Sequence, residues 1–255
     1  MNPFISKIRK SLGHSSNSDR TWETLMQKMP SCEDEHNRRL QAIRNRSHAE
    51  REALLDELIQ ASGPLNLNVV PKPDIASVGA AIAEIVREKS PEWGTRKSVV
   101  AWQHPLIQKL NLSETLAKQG VPVYYTAFGR NHGDPRSEIQ EREKLREQVI
   151  ASYIGITAAD FCIAETATLV MKTRQGQARS VSLVPSVHIA VIESGQIIAS
   201  LKELYSLLKW DTEQRAEGLS NCMTFISGPS KTADIEATLV HGAHGPRELY
   251  LFVLD

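Results

Sequence analysis

Asn68-Val69-Val70, then Asp74 heading Ile75, Val78, Ile82, Ile85 and Val86, then Lys97-Ser98-Val99-Val100-Ala101-Trp102 read as strand, helix and strand. The outer runs are short and rich in β-branched residues, which suits a pleated, packed surface. Between them the apolar residues recur at three and four, so they share one helical face, and the Asp74 carboxylate can accept from the first free amides. The alternation continues with a short helix begun by Ser113, a strand at Val121-Pro122-Val123-Tyr124-Tyr125, and an amphipathic helix from about Arg136 to Tyr153. Parallel strands need such crossovers, so the sequence predicts an α/β fold with a mostly parallel sheet flanked by helices. Ligands are then expected at the carboxyl ends of strands.

Upstream, Glu33 to about Ala61 is charge-dense and free of Pro and Gly, with Leu40, Ile43, Leu54, Leu55, Leu58 and Ile59 on a helical period. This predicts one long surface helix stopped by Gly63-Pro64, its Arg38, Arg39, Arg44, Arg46 and Arg51 forming a solvated face with carboxylates nearby. Phe4, Ile5, Ile8 and Leu12 line a short basic helix closed by Gly13, read as a small docking helix. Together these segments make an N-terminal helical extension over residues 1–62, ahead of an α/β domain over 63–255. After Asp160 the rhythm changes. Phe161–Ala164 and Thr168–Met171 read as paired strands, 187–192 as a buried strand, 201–208 as a helix and 222–226 as a strand. A helix from Thr232 to about Val240 and a closing strand at Leu249–Leu254 complete the chain.

Lys+Arg and Asp+Glu balance at 30 each over 255 residues, which argues against a dedicated nucleic-acid binder, since phosphate neutralisation needs excess basic charge. No apolar run reaches the ~20 residues of a membrane-spanning helix. Cys32, Cys162 and Cys222 are far apart and form no Cys-x-x-Cys pair, which disfavours a disulfide framework, a zinc ribbon or an iron–sulfur cluster held by this chain alone. The expected compartment is the cytoplasm, with no resident metal or cofactor.

Three polar constellations interrupt what otherwise reads as core. In the first, Gly155-Ile156-Thr157-Ala158-Ala159-Asp160 runs into Ala164-Glu165-Thr166-Ala167-Thr168. Glu165 falls between two apolar strands, where a carboxylate of raised pKa can act as base or nucleophile, and Asp160 can support it. In the second, Leu183-Val184-Pro185-Ser186-Val187-His188-Ile189, His188 is either a core imidazole satisfied by one hydrogen bond or a residue at a cleft edge. The third, Ser227-Gly228-Pro229-Ser230-Lys231-Thr232, sits where a strand is expected to turn into a helix. Free amides there, with Ser230, Thr232 and Lys231, would bind a carboxylate or phosphate, or simply cap the helix. Asp234 and Glu236 then fall in the first helical turn and complement its dipole. His241 and His244 mark the exit into a loop, and Arg247 is free to pair with a carboxylate.

These motifs resemble the lactate utilization protein C family, whose members carry a LUD domain. The resemblance is strongest over Gly155–Val170, Leu183–Ile192 and Ser227–Pro246. It implies a fold similar to the CoA-transferase and ribose-phosphate isomerase group. It also implies a cytoplasmic subunit of a system oxidising L-lactate to pyruvate, accessory or substrate-handling, with iron–sulfur clusters on partner subunits. In that setting Glu165 would be catalytic, and Ser230, Lys231, Thr232, Asp160, His188 and Asp234 would bind a small carboxylate or phosphate. The alternative is a stand-alone CoA-transferase-like or sugar-phosphate-processing enzyme using Glu165. Two departures stand out: the family usually has Glu-Thr-Gly-Thr where this chain has Glu165-Thr166-Ala167-Thr168, and Pro-Pro where it has Pro185-Ser186. Alanine at 167 gives up the φ > 0 freedom of glycine, which argues against a close backbone approach there.

Overall fold

The computed structural model describes residues 33–92, 94–127, 135–217, 222–235, 238–242 and 244–255. The basic helix expected over 4–13 and Cys32 lie outside them.

The expected single helix over 33–61 is two helices, α1 (Glu33–Arg44) and α2 (His48–Ser62). Ser47 breaks it: the hydroxyl accepts from Glu50 N while the Glu50 carboxylate accepts from Ser47 N at 2.7 Å. That reciprocal cap starts a new helix more cheaply than the old one can be continued. The arginine face does find carboxylates. Arg46 reaches both oxygens of Glu203 at 2.5 and 2.6 Å, and Arg44 reaches Asp211 at 2.6 Å.

After α2 come β1 (Leu67–Lys72), α3 (Ile75–Glu88), β2 (Val99–Ala101), α4 (Pro105–Lys109), α5 (Leu112–Ala117), β3 (Val123–Tyr125), α6 (Pro135–Ala151) and β4 (Ile154–Ala158). Asp74 caps α3 as the sequence predicts, accepting from Ser77 N at 2.7 Å. Next are β5 (Phe161–Ile163), β6 (Thr168–Lys172), the single turn α7 (Ser180–Leu183), β7 (Val187–Glu193) and β8 (Ile197–Ile198). The remainder is α8 (Leu201–Trp210), α9 (Thr212–Glu217), β9 (Met223–Ile226), β10 (Lys231–Ile235), β11 (Thr238–His241) and β12 (Glu248–Leu254).

The main sheet runs β1-β12-β7-β4-β2-β3 with every pairing parallel, which is the α/β class expected. One face packs on α3, α4 and α5 through Val78, Ile82, Val86, Ile107, Leu112 and Leu116, all completely buried. Against the other face lie α2, α7 and a second sheet, β8-β5-β6-β9, whose Cys162, Leu169 and Ile197 meet Leu58, Ala190 and Leu251. The far side of that second sheet is closed by α1 and α8 through Leu40, Val170, Leu204 and Leu207. Among the described residues no helix is long and apolar enough to cross a membrane.

The helix expected from Thr232 to Val240 is instead the antiparallel hairpin β10–β11, with Lys231 opposite His241 and Thr232 opposite Val240. Thr232 through Leu239 alternate polar and apolar without exception, the period of a strand. That period outweighs the hydroxyl and carboxylate cues borrowed from helix caps.

Ala167 also departs from expectation. It stands left-handed, at φ 43° and ψ 49°, at the end of the 3-10 turn Ala164–Thr166, and is completely buried. The turn demands a conformation that costs an alanine roughly 1–2 kcal/mol over glycine, while its methyl contributes on the order of 1 kcal/mol of burial. Ala167→Gly is therefore expected to leave the unfolding free energy within about 1 kcal/mol of the parent, and Ala167→Val to lose about 3 kcal/mol or more. Urea denaturation of the pair measures both.

Candidate functional site

Part of each constellation meets the others on the second-sheet side of the main sheet: Gly155 and Thr157 of the first, His188 of the second, and Ser227 to Lys231 of the third. Gly155, His188, Leu249 and Leu67 are neighbours across four strands in register. All face that side by strand alternation. Over Gly155 lies α7: a Cβ built there would stand 1.9 Å from the Val181 carbonyl oxygen and 3.0 Å from Pro185 Cγ. Glycine is thus required by contact and not by backbone conformation. Its absence of side chain lets α7 lie on β4 and carry Ser182 and Leu183 up to His188.

From the other direction comes the segment 227–231. Gly228 has φ 95° and passes so close to α2's end that a Cβ would meet the Leu65 carbonyl at 2.6 Å. Ser230 is then pinned three ways. Its N–H donates to Pro246 O at 2.7 Å, its carbonyl accepts from Gly242 N at 3.1 Å, and its hydroxyl accepts from His244 N at 3.3 Å. Lys231 is exposed and donates to Pro64 O at 3.4 Å. Between these walls lies a cavity of about 280 Å³ lined by Ser182, Leu183, His188, Ile226 to Lys231, His244 to Pro246 and Leu249, with Thr224 and Phe225 beside it.

His188 is the most informative group in it. The ring is completely buried, and burial pushes its pKa down to about 3, so it is neutral. Nε2 lies 2.8 Å from Thr157 Oγ1, and Nδ1 has no hydrogen-bond partner among the described residues. Thr157 is itself completely buried, and His188 Nε2 is its side chain's sole hydrogen-bond partner there. The hydroxyl must donate somewhere, and Nε2 satisfies it; the proton of the ring then sits on Nδ1. An unmet buried N–H costs on the order of 1–3 kcal/mol. The residue that carries it borders the cavity.

The sequence-predicted residues divide accordingly. Ser230, Lys231 and His188 line one cavity. Thr232 and Asp234 follow in β10, their side chains outside the described residues. Because 231–235 is a strand, no helix start is present to supply the expected free amides or to be complemented by Asp234. Glu165 is elsewhere: it is exposed, not shielded between strands as expected, its N–H donates to Ala199 O at 3.2 Å and its carboxylate faces Leu201 N at 3.4 Å. The turn that carries it still touches the site, since Thr166, Thr168 and Ser227 hydroxyls form a chain with steps of 2.9 and 2.7 Å.

Asp160 lies at the carboxyl end of β4 in an ionic cluster. It accepts from Lys172 N at 2.7 Å and pairs with Arg174 at 2.6 Å. Arg174 also holds Glu217, joined by Lys172 Nζ at 2.9 Å. The Arg174 hydrogen bond, with help from Lys172 and against burial, holds the Glu217 carboxyl down to about 2. This cluster straps α9 to β6. Arg247 pairs with Glu92 at 2.5 Å. Sequence reasoning missed Thr157 and Gly155 as site residues; a threonine and a glycine inside a core strand were the available signal.

A parallel sheet flanked by helices, with a second sheet laid on one face and a cleft beside it, defines an α/β protein of layered architecture. The LUD domain profile matches residues 55–254, and the chain belongs to that family. It is 34% identical over 160 residues to lactate utilization protein C of Halalkalibacterium halodurans, covering 62% of this chain and 64% of that one. To lactate utilization protein C of Shouchella clausii it is 31% identical over 183 residues, covering 71% and 73%. The match thus spans less than two thirds of the length of the first of these relatives. Among solved structures, a DUF162 family protein from Deinococcus radiodurans matches with a TM-score of 0.50 at 20% identity, covering 82% of this chain and 99% of that one, a likeness of fold.

Proposed function

We propose that this chain is a subunit of a cytoplasmic system that oxidises L-lactate to pyruvate, and that it handles the hydroxy acid in the cavity between β7, β9 and α7. The observation that carries the reading is the meeting of His188, Ser230 and Lys231 at one cavity in a chain related to lactate utilization proteins C. Lys231 supplies a cation at the rim for a carboxylate, Ser230 a positioned hydroxyl, and His188 an inner donor. In this reading the iron–sulfur clusters belong to partner subunits, and the two described cysteines support it. Cys162 is buried in apolar surroundings, which push its thiol up to about 12, and Cys222 stands apart from it on another strand's edge.

The test is affinity capture of the tagged chain from cells of its source grown on L-lactate, with an iron assay and lactate-dependent reduction of an artificial electron acceptor. Co-purified iron–sulfur proteins with that activity support the reading. Lys231→Ala is expected to lower that activity about tenfold or more, the worth of one charge-assisted contact, with little change in melting temperature because the residue is exposed. Recovery of the chain without iron or activity overturns the complex. CoA ester or sugar phosphate binding abolished by Glu165→Gln would put a stand-alone enzyme in its place.

A further inference from the structure

The size and chemistry of the cavity say more about its ligand than the family does. Its volume of about 280 Å³ borders the roughly 300–1,000 Å³ range of sites for drug-sized molecules, several times what a three-carbon acid fills. Its wall is also divided. Lys231 and the Ser230 hydroxyl are polar and near the rim, His188 Nδ1 is a buried donor, and Leu183, Ile226 and Leu249 present hydrocarbon. A lactate methyl can cover little of that hydrocarbon.

We propose that the cavity takes a 2-hydroxy acid longer than lactate, its carboxylate paired with Lys231, an oxygen accepting from His188 Nδ1–H, and its alkyl chain against Leu183, Ile226 and Leu249. The proposal rests on the reading of this cavity as the hydroxy-acid site. Each methylene that leaves water for such a wall multiplies affinity roughly fourfold, and the His188 proton gains an acceptor that no described residue supplies. The polar end then fixes orientation while the chain sets selectivity.

The experiment is a titration of the full chain, labelled with 15N-histidine, with inorganic phosphate, L-lactate and 2-hydroxyoctanoate. The His188 ring resonances are assigned by their loss in His188→Gln. 2-Hydroxyoctanoate is expected to bind at least tenfold more tightly than L-lactate or phosphate, to shift the His188 Nδ1 resonance, and to lose about tenfold with Lys231→Ala. L-Lactate or phosphate binding as tightly, with the same His188 shift, overturns the long-chain assignment and leaves the cavity as a small-anion site. Tight 2-hydroxyoctanoate binding with His188 unmoved places the acid elsewhere on the surface and overturns it as well. If no probe moves His188 or binds at millimolar concentration, the reading of the cavity falls, and this assignment with it.

Discussion

Gly155→Ala is expected to unfold a large part of the molecule's stability margin. The new methyl would sit 1.9 Å from a backbone oxygen of α7 and 3.0 Å from the carbon behind it. Backbone cannot swing aside as a side-chain tip can, so either α7 lifts from β4 or the main sheet opens between β4 and β7. Overpacking of this kind costs about 3 kcal/mol or more, against a typical total of roughly 5–15 kcal/mol, and lowers the melting temperature by roughly 10 °C. Gly195→Ala is the control, since nothing lies within 4 Å of a Cβ there. A Gly155→Ala protein that melts with the parent would refute the close seating of α7. A partial loss should also deform the cavity, because Ser182 and Leu183 ride on α7.

Stability is expected to fall steeply in mild acid, and His188 is the reason. Its pKa is about 3 in the folded protein and 6.5 ordinarily, so the unfolded chain takes up a proton that the folded one refuses. A depressed folded value means the full contribution is present above pH 6.5 and drains away as pH falls toward 3. Each unit costs about 1.4 kcal/mol, so the step from pH 7.0 to 5.0 should remove roughly 2 kcal/mol. Glu217 acts in a lower window: its folded value of about 2 lies below the ordinary 4.5, so its share is lost only as pH falls through that interval. Urea melts at pH 7.0 and 5.0 separate the two. His188→Gln should be less stable at pH 7.0 and should have lost most of the slope above pH 5; an unchanged slope would assign the acid sensitivity to other groups.

Much of this architecture is written in local signals. The Asp74 cap, the apolar stripe behind it and the flanking β-branched runs specify a βαβ unit without reference to anything distant, and the parallel sheet follows. The errors came where one cue was weighed against another. Ser227 to Thr232 looks like a helix start by its hydroxyls, yet the strict alternation from Thr232 to Leu239 is the longer signal, and backbone pairing obeys it. Ser47 with Glu50 three residues on marks a helix start inside what periodicity alone makes continuous. The candidate site was half legible. His188, Ser230 and Lys231 draw notice as polar residues in or beside apolar runs, but their meeting depends on pairings between strands far apart in sequence. Glu165 is the converse: apolar neighbours in sequence suggest burial, while the 3-10 turn, with left-handed Ala167 closing it, rotates the carboxylate out to solvent.

The strand order of the main sheet also has a consequence for how the protein is made. β12 lies between β1 and β7, so β1 has no partner strand, and β7 only β4, until residues 248–254 leave the ribosome. β1 emerges roughly 180 residues earlier, and at ordinary elongation rates it waits on the order of ten to forty seconds with an open hydrogen-bonding edge. Throughout that interval the nascent chain offers Val69 and Val70 to any extended polypeptide nearby. Shielding that edge until the last strand arrives is therefore a condition for efficient folding, separate from the stability of the finished sheet.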